Sequence, residues 1–269
     1  MAPFTAGGKD YQFNKPSGYD SDSLINNEIG VKTEFLDHRV QVNGSIYRMN
    51  WSNVQLGLFD PVHLGNTTFD INGPTYVVKG VELQVVARVT EGLTVQGSSS
   101  WNSSNQVNAP CLTANRASDG AAIGSCITQV KGLPYTNPYG VLDTSPAFSP
   151  PLQFNLRARY DFVAGDYRPF VSVGANHVGS MRNEPASYPE GNSPACTPIP
   201  TTTVCQYTMP GYTTYDAALG VSKDRWTVQL TGSNLTNSNA STNTSSAQFI
   251  ESQVPLRPRV IMGQFGYKF

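Results

Sequence analysis

Pro258-Arg259-Val260-Ile261-Met262-Gly263-Gln264-Phe265-Gly266-Tyr267-Lys268-Phe269 closes the chain, and its two-residue rhythm governs how the rest is read. Phe269, Tyr267, Phe265, Gly263 and Ile261 fall on one side; Lys268, Gly266, Gln264, Met262 and Val260 fall on the other. A period of two belongs to a strand with two unlike faces. Rings crowd the apolar face, and the chain stops on a phenylalanine carboxylate, where soluble chains commonly fray in polar sequence. Such a strand suits a bilayer-spanning barrel, whose aromatic side chains collect at the membrane–water boundary. The alternative is a last strand tucked into a soluble β-sandwich, and the stretch by itself allows both.

Composition narrows the choice. Of 269 residues, 39% are hydrophobic and 14% charged, with 24 Gly, 19 Pro and 13 Tyr. That mix favours strands joined by turns over helices. No run approaches the ~20 apolar residues a membrane helix needs. A mean hydropathy of −0.30 is compatible with a barrel, because every second strand residue faces a wet lumen. A net charge of −1 offers no basic patch for nucleic acid. The N-terminus, Met1 to Asp10, lacks the apolar core of a secretory signal, so the chain is expected either to be soluble or to lack its beginning.

Working back from the C-terminus, the same alternation recurs eight more times. Strands are expected over Glu28–Phe35, Val40–Trp51, Thr75–Arg88, Leu93–Asn102, Leu152–Phe162, Tyr167–Ser180, Tyr212–Val221 and Trp226–Leu235. At Tyr47, Met49 and Trp51 the apolar phase shifts, which suggests a bulge or an aromatic girdle. The connections alternate strictly between short turns and long polar segments. A Greek-key sandwich has no reason to do so, whereas an up-and-down transmembrane barrel has short periplasmic turns and long outer loops. The polar faces carry Glu82, Arg88, Arg157, Arg159 and Asp216, which suit a water-filled lumen and are costly in a dry core. The expected fold is therefore all-β: an antiparallel up-and-down transmembrane barrel segment of about nine strands.

The alternation sets direction as well. The last connection is long, so the final strand runs inward and residues 1–26 form an irregular outer segment, with residues 27–269 the barrel part. Single-chain bacterial barrels have even strand numbers, so nine strands with an outer N-terminus imply a C-terminal piece of a longer protein. The other explanation is a missed strand near Lys9 to Asn14.

Several segments, in order, resemble the C-terminal part of a TonB-dependent outer-membrane receptor. Asn27-Glu28-Ile29-Gly30-Val31-Lys32-Thr33-Glu34-Phe35 with Arg39, Asn43-Gly44-Ser45-Ile46-Tyr47 and Trp51-Ser52-Asn53-Val54-Gln55 are similar to one family stretch. Lys79-Gly80-Val81-Glu82-Leu83 and Glu91-Gly92-Leu93-Thr94 resemble its next strand and turn. Trp226 to Asn237, Pro258-Arg259 and Gly266-Tyr267-Lys268-Phe269 resemble its closing strands. The resemblance implies a location in the bacterial outer membrane. It also implies energised uptake of a scarce large solute, such as a ferric siderophore, cobalamin or oligosaccharide. Family barrels have 22 strands, so these nine are expected to be the last nine. The inner-membrane TonB complex acts on the family through an N-terminal plug, which this sequence does not contain. Phe265, Tyr267 and Phe269 are the expected contact for barrel-assembly machinery, and outer-membrane lipid is the expected surround. A small passive porin and a secreted β-sandwich binding module are the alternatives.

Chemistry-bearing residues are sparse. Cys111 and Cys126 lie in one expected outer loop, Cys196 and Cys205 in another. Outside the cell they read as disulfides, and of three possible pairings 111–126 and 196–205 close loops locally. No CxxC occurs, and His38, His63 and His177 are scattered, so no metal site or cofactor is expected. Neither a catalytic motif nor a paired carboxylate site is present, so no enzyme is expected. Tyr47, Trp51, Trp101, Tyr160, Trp226 and Tyr267 read as girdle rings, and the loop residues Tyr135, Tyr139, Tyr188 and Tyr207 could touch ligand.

Overall fold

The computed structural model describes residues 4–6, 8–58, 68–108, 110–116, 122–128, 137–194, 196, 204–245 and 251–269. Nine strands form one antiparallel sheet: β3 (Ser23–Phe35), β4 (Val40–Ser52), β7 (Tyr76–Arg88), β8 (Leu93–Gln106), β9 (Leu152–Asp161), β10 (Arg168–Val178), β13 (Tyr212–Lys223), β14 (Trp226–Ser233) and β17 (Val260–Tyr267). Each pairs with its neighbours in chain order, and β3 and β17 are the two edges. The connections at 36–39, 89–92, 162–167 and 224–225 are short, and those at 53–75, 107–151, 179–211 and 234–259 are long. Among the described residues the long connections carry three small antiparallel pairs, β5 (Gln55–Leu58) with β6 (Phe69–Asn72), β11 (Met181–Arg182) with β12 (Thr208–Met209), and β15 (Ser241–Ser245) with β16 (Ser252–Pro255), and a fourth pair, β1 (Phe4–Ala6) with β2 (Lys9–Tyr11), precedes the large sheet.

Register carries the two-faced pattern across the sheet. Ile29, Ile46, Val81, Trp101 and Leu152 are successive cross-strand partners. Farther down the same face run Phe35, Val40, Ala87, Val95, Ala158, Val173, Ala217, Gly232 and Ile261. The opposite face has rows such as Lys32, Asn43, Gln84, Ser98, Asn155, Asn176 and Thr214. The apolar face is bare: Ile29 is 75% exposed, Leu219 55% and Phe265 69%. A β-sandwich buries that face against a second sheet, so the sandwich alternative is set aside.

The buried core sits at the long-connection end. Tyr11, Phe13, Leu58, Phe69, Ile71, Leu112, Ala114, Ala122, Ile127 and Tyr139 form one cluster, none of them in the nine-stranded sheet. The described residues of the expected irregular segment 1–26 are thus partly ordered into strands and packed. Tyr11 and Phe13 anchor them in this cap, and Asn14 and Asn115 exchange hydrogen bonds of 2.8 Å. Ser23 to Asn26 already belong to β3, held by the Trp51 indole donating to Asp22 at 2.7 Å. The strand near Lys9 exists, but it pairs with β1 and adds nothing to the large sheet.

No bulge occurs at Tyr47: β4 keeps continuous register with both β3 and β7. Tyr47, Met49 and Trp51 stay on the polar face throughout, and the Tyr47 hydroxyl donates to Asn102. The apparent phase shift is a change of surroundings, because the strand outruns the apolar band and its inner side meets the cap. Tyr47 and Trp51 are therefore not girdle residues. At the short-turn end, Tyr160 stacks on Phe162 (5.6 Å), Tyr167 meets Trp226 (6.2 Å) and Tyr267 meets Phe269 (5.3 Å).

Candidate functional site

A cleft of about 920 Å³ opens at the sheet, and its lining includes the polar-face residues Glu28, Lys32, Glu82, Gln84, Asn155 and Asn176. Strand alternation alone delivers these side chains to one side, since each polar row is two residues from the next. Amides are cross-linked along it: Asn43 Nδ2 donates to Gln84 Oε1 (3.2 Å), Asn155 Nδ2 to Asn176 Oδ1, and Asn176 Nδ2 to Asp216 Oδ2 (2.9 Å). The Asn234 backbone N–H completes the run by donating to Asp216 Oδ1 at 3.0 Å. Asn43 Oδ1 is buried without a hydrogen-bond partner among the described residues, so one acceptor on this wall is left open.

Glu82, Arg88, Arg157, Arg159 and Asp216 all lie on this face by register. They do not converge. Arg159 holds Asp161 through two bonds of 2.7 and 2.8 Å and stacks over Phe170 at 3.8 Å. Asp216 is engaged by the amides above. Glu82, Arg88 and Arg157 have no ion-pair partner among the described residues. Sequence reading missed the amide run, although its signal was available: these residues share the alternation phase of Glu82 and Arg157.

At the cap, Cys111 is bonded to Cys126 and Cys196 to Cys205, with Cα separations of 5.6 and 6.1 Å. Asn183, buried beside the second bridge, donates to Cys205 O (3.3 Å) and accepts from the Tyr207 amide. Burial pushes the next residue, Glu184, up to about 7 and the Tyr139 phenol up to about 12. Tyr207 is raised by burial and by Glu251. His38 contacts Glu34 at 2.6 Å in an exposed turn, and His177 stacks on Phe154 and contacts Thr213 Oγ1 at 2.9 Å. His63 and Tyr135 lie outside the described residues. Among the described residues no three His, Cys, Asp or Glu side chains gather as metal ligands.

The arrangement is that of a wall: apolar without, polar and amide-lined within, with a disulfide-pinned cap. No curated protein matches the sequence. Solved structures with the same fold are receptors. The ferric yersiniabactin uptake receptor FyuA of Yersinia pestis is 15% identical, with 97% of this chain and 33% of that one covered, at a TM-score of 0.63. The siderophore receptor PiuA of Acinetobacter baumannii is 20% identical, with 91% and 28% covered, at 0.59. The ferripyoverdine receptor of Pseudomonas aeruginosa is 16% identical, with 97% and 30% covered, at 0.58. The chain spans about a third of the length of these receptors. The family described as TonB dependent receptor-like, beta-barrel matches residues 7–235, most of the chain, and the protein belongs to it.

Proposed function

We propose that this chain forms the C-terminal wall of an outer-membrane uptake receptor that imports a scarce, large solute with TonB-derived energy. Ferric siderophores lead among the solute classes, since FyuA, PiuA and the ferripyoverdine receptor carry that chemistry in their names. The observation that carries the reading is the pairing of a bare apolar face with an amide-lined polar cleft across nine continuous strands. A bilayer satisfies the first face and a hydrated passage the second. Glu82, Arg88, Arg157 and Asp216 would line that passage or meet a plug, with the two disulfides holding the outer cap. Phe265, Tyr267 and Phe269 would present the closing strand to assembly machinery.

Iron-starved cells of the source organism provide the test. Radiolabelled ferric siderophore uptake should fall to background when the coding segment is deleted, and equally when TonB is removed. Uptake that survives loss of TonB, or that is unchanged by the deletion, would overturn the proposal. Single-channel conductance without TonB would instead indicate a passive pore.

A further inference from the structure

The apolar face carries an isolated pair of cations. Arg48 and Lys79 are direct cross-strand partners on β4 and β7. Both are exposed, and neither has an ion-pair partner among the described residues. The nine strands place no carboxylate on this face, and Glu28, near in sequence to the pair's neighbours, points to the other. Like charges directly opposite one another destabilise a sheet, so the pair is at a disadvantage unless an anion outside the chain joins it. Lys223, the third cation of this face, lies at the short-turn end and is matched by Asp166 at 3.4 Å.

Position identifies the anion. The pair stands two residues beyond the row of Ile46, Val81 and Trp101, roughly 7 Å toward the long connections. One row farther the face becomes mixed and then polar, with Asn50 and Asn105 flanking Val77. The cations therefore sit at the upper margin of the apolar band, with Trp101, 53% exposed, just beneath them. An indole at that depth is at home between acyl chains and headgroups. A guanidinium offers paired N–H donors to phosphate oxygens, and an ammonium adds a compact charge.

We propose that Arg48 and Lys79, with Trp101 below, hold the phosphate of an anionic outer-leaflet lipid against the barrel wall. The inference rests on the membrane reading above, and its test separates the two. The full chain is reconstituted into phosphatidylcholine vesicles, extracted into micelles and titrated with phosphorylated lipid A or its dephosphorylated form. Bound lipid is counted by native mass spectrometry. The phosphorylated lipid should be retained, with retention weakened roughly tenfold or more both by removing its phosphates and by R48Q/K79Q, while K223Q leaves it unchanged. Equal retention of the two lipids by the wild-type chain, which needs no variant to fold, overturns the site; so does undiminished binding by the double variant. A chain that never enters the vesicles overturns the membrane reading itself.

Discussion

At the scale of single residues, two positions make the sharpest predictions. A Cβ added to Gly92 would lie 2.2 Å from the Asp161 carbonyl oxygen, a backbone atom that cannot swing aside. Gly92→Ala should cost about 1–3 kcal/mol by urea denaturation in micelles. Gly263→Ala, with nothing within 4 Å, serves as the near-neutral control. Glu184 predicts a pH effect. Burial raises its folded-state pKa to about 7, above the ordinary value of 4.5. The folded cap therefore binds the extra proton between those values, and its stability falls as pH rises through that window. Hydrogen exchange at 181–194, corrected for intrinsic rates, should be faster at pH 8 than at pH 5. Glu184→Gln should erase the difference.

At the scale of elements, turns and bridges are the informative parts. The 36–39 turn puts Leu36, Asp37 and His38 all at positive φ (56, 54 and 63°). Asp and His tolerate that region better than Leu. Leu36→Gly should therefore stabilise the hairpin by about 0.5–1 kcal/mol, read as a rise in denaturation midpoint. Breaking the Cys111–Cys126 bridge with C111S/C126S should loosen the cap by about 2–4 kcal/mol, seen as faster proteolysis near 111–126 with β-sheet circular dichroism unchanged. The nine sheet strands were legible because eight or more residues of alternation leave little room for another reading. β4 misled at Tyr47 because periodicity reports which side a residue takes, not what waits there. The cap was illegible for a different reason. Its strands run two to five residues, too short to show a period, and its core joins Tyr11 to Ile127 across more than a hundred intervening positions. The amide run fell between these cases: the phase was visible, but which Asn meets which depends on register.

At the scale of the whole molecule, the sheet is open. β3 and β17 each have one neighbour in it, so each presents a row of unpaired backbone donors and acceptors. Hydrocarbon cannot satisfy such an edge, and in water it invites pairing with other chains. The isolated chain in micelles should therefore self-associate with rising concentration, measurable by sedimentation, and adding a peptide matched to the β3 edge should suppress it. The split between cap and sheet has a thermal consequence. Among the described residues the cluster around Tyr11, Phe69 and Ile127 hides the most oily surface from water, so its opening should carry most of the heat-capacity increment. The lipid-facing side chains exchange one oily neighbour for another. Calorimetry of the embedded chain should resolve a curved, cold-sensitive transition for the capping lobe, separate from a nearly temperature-indifferent one for the wall.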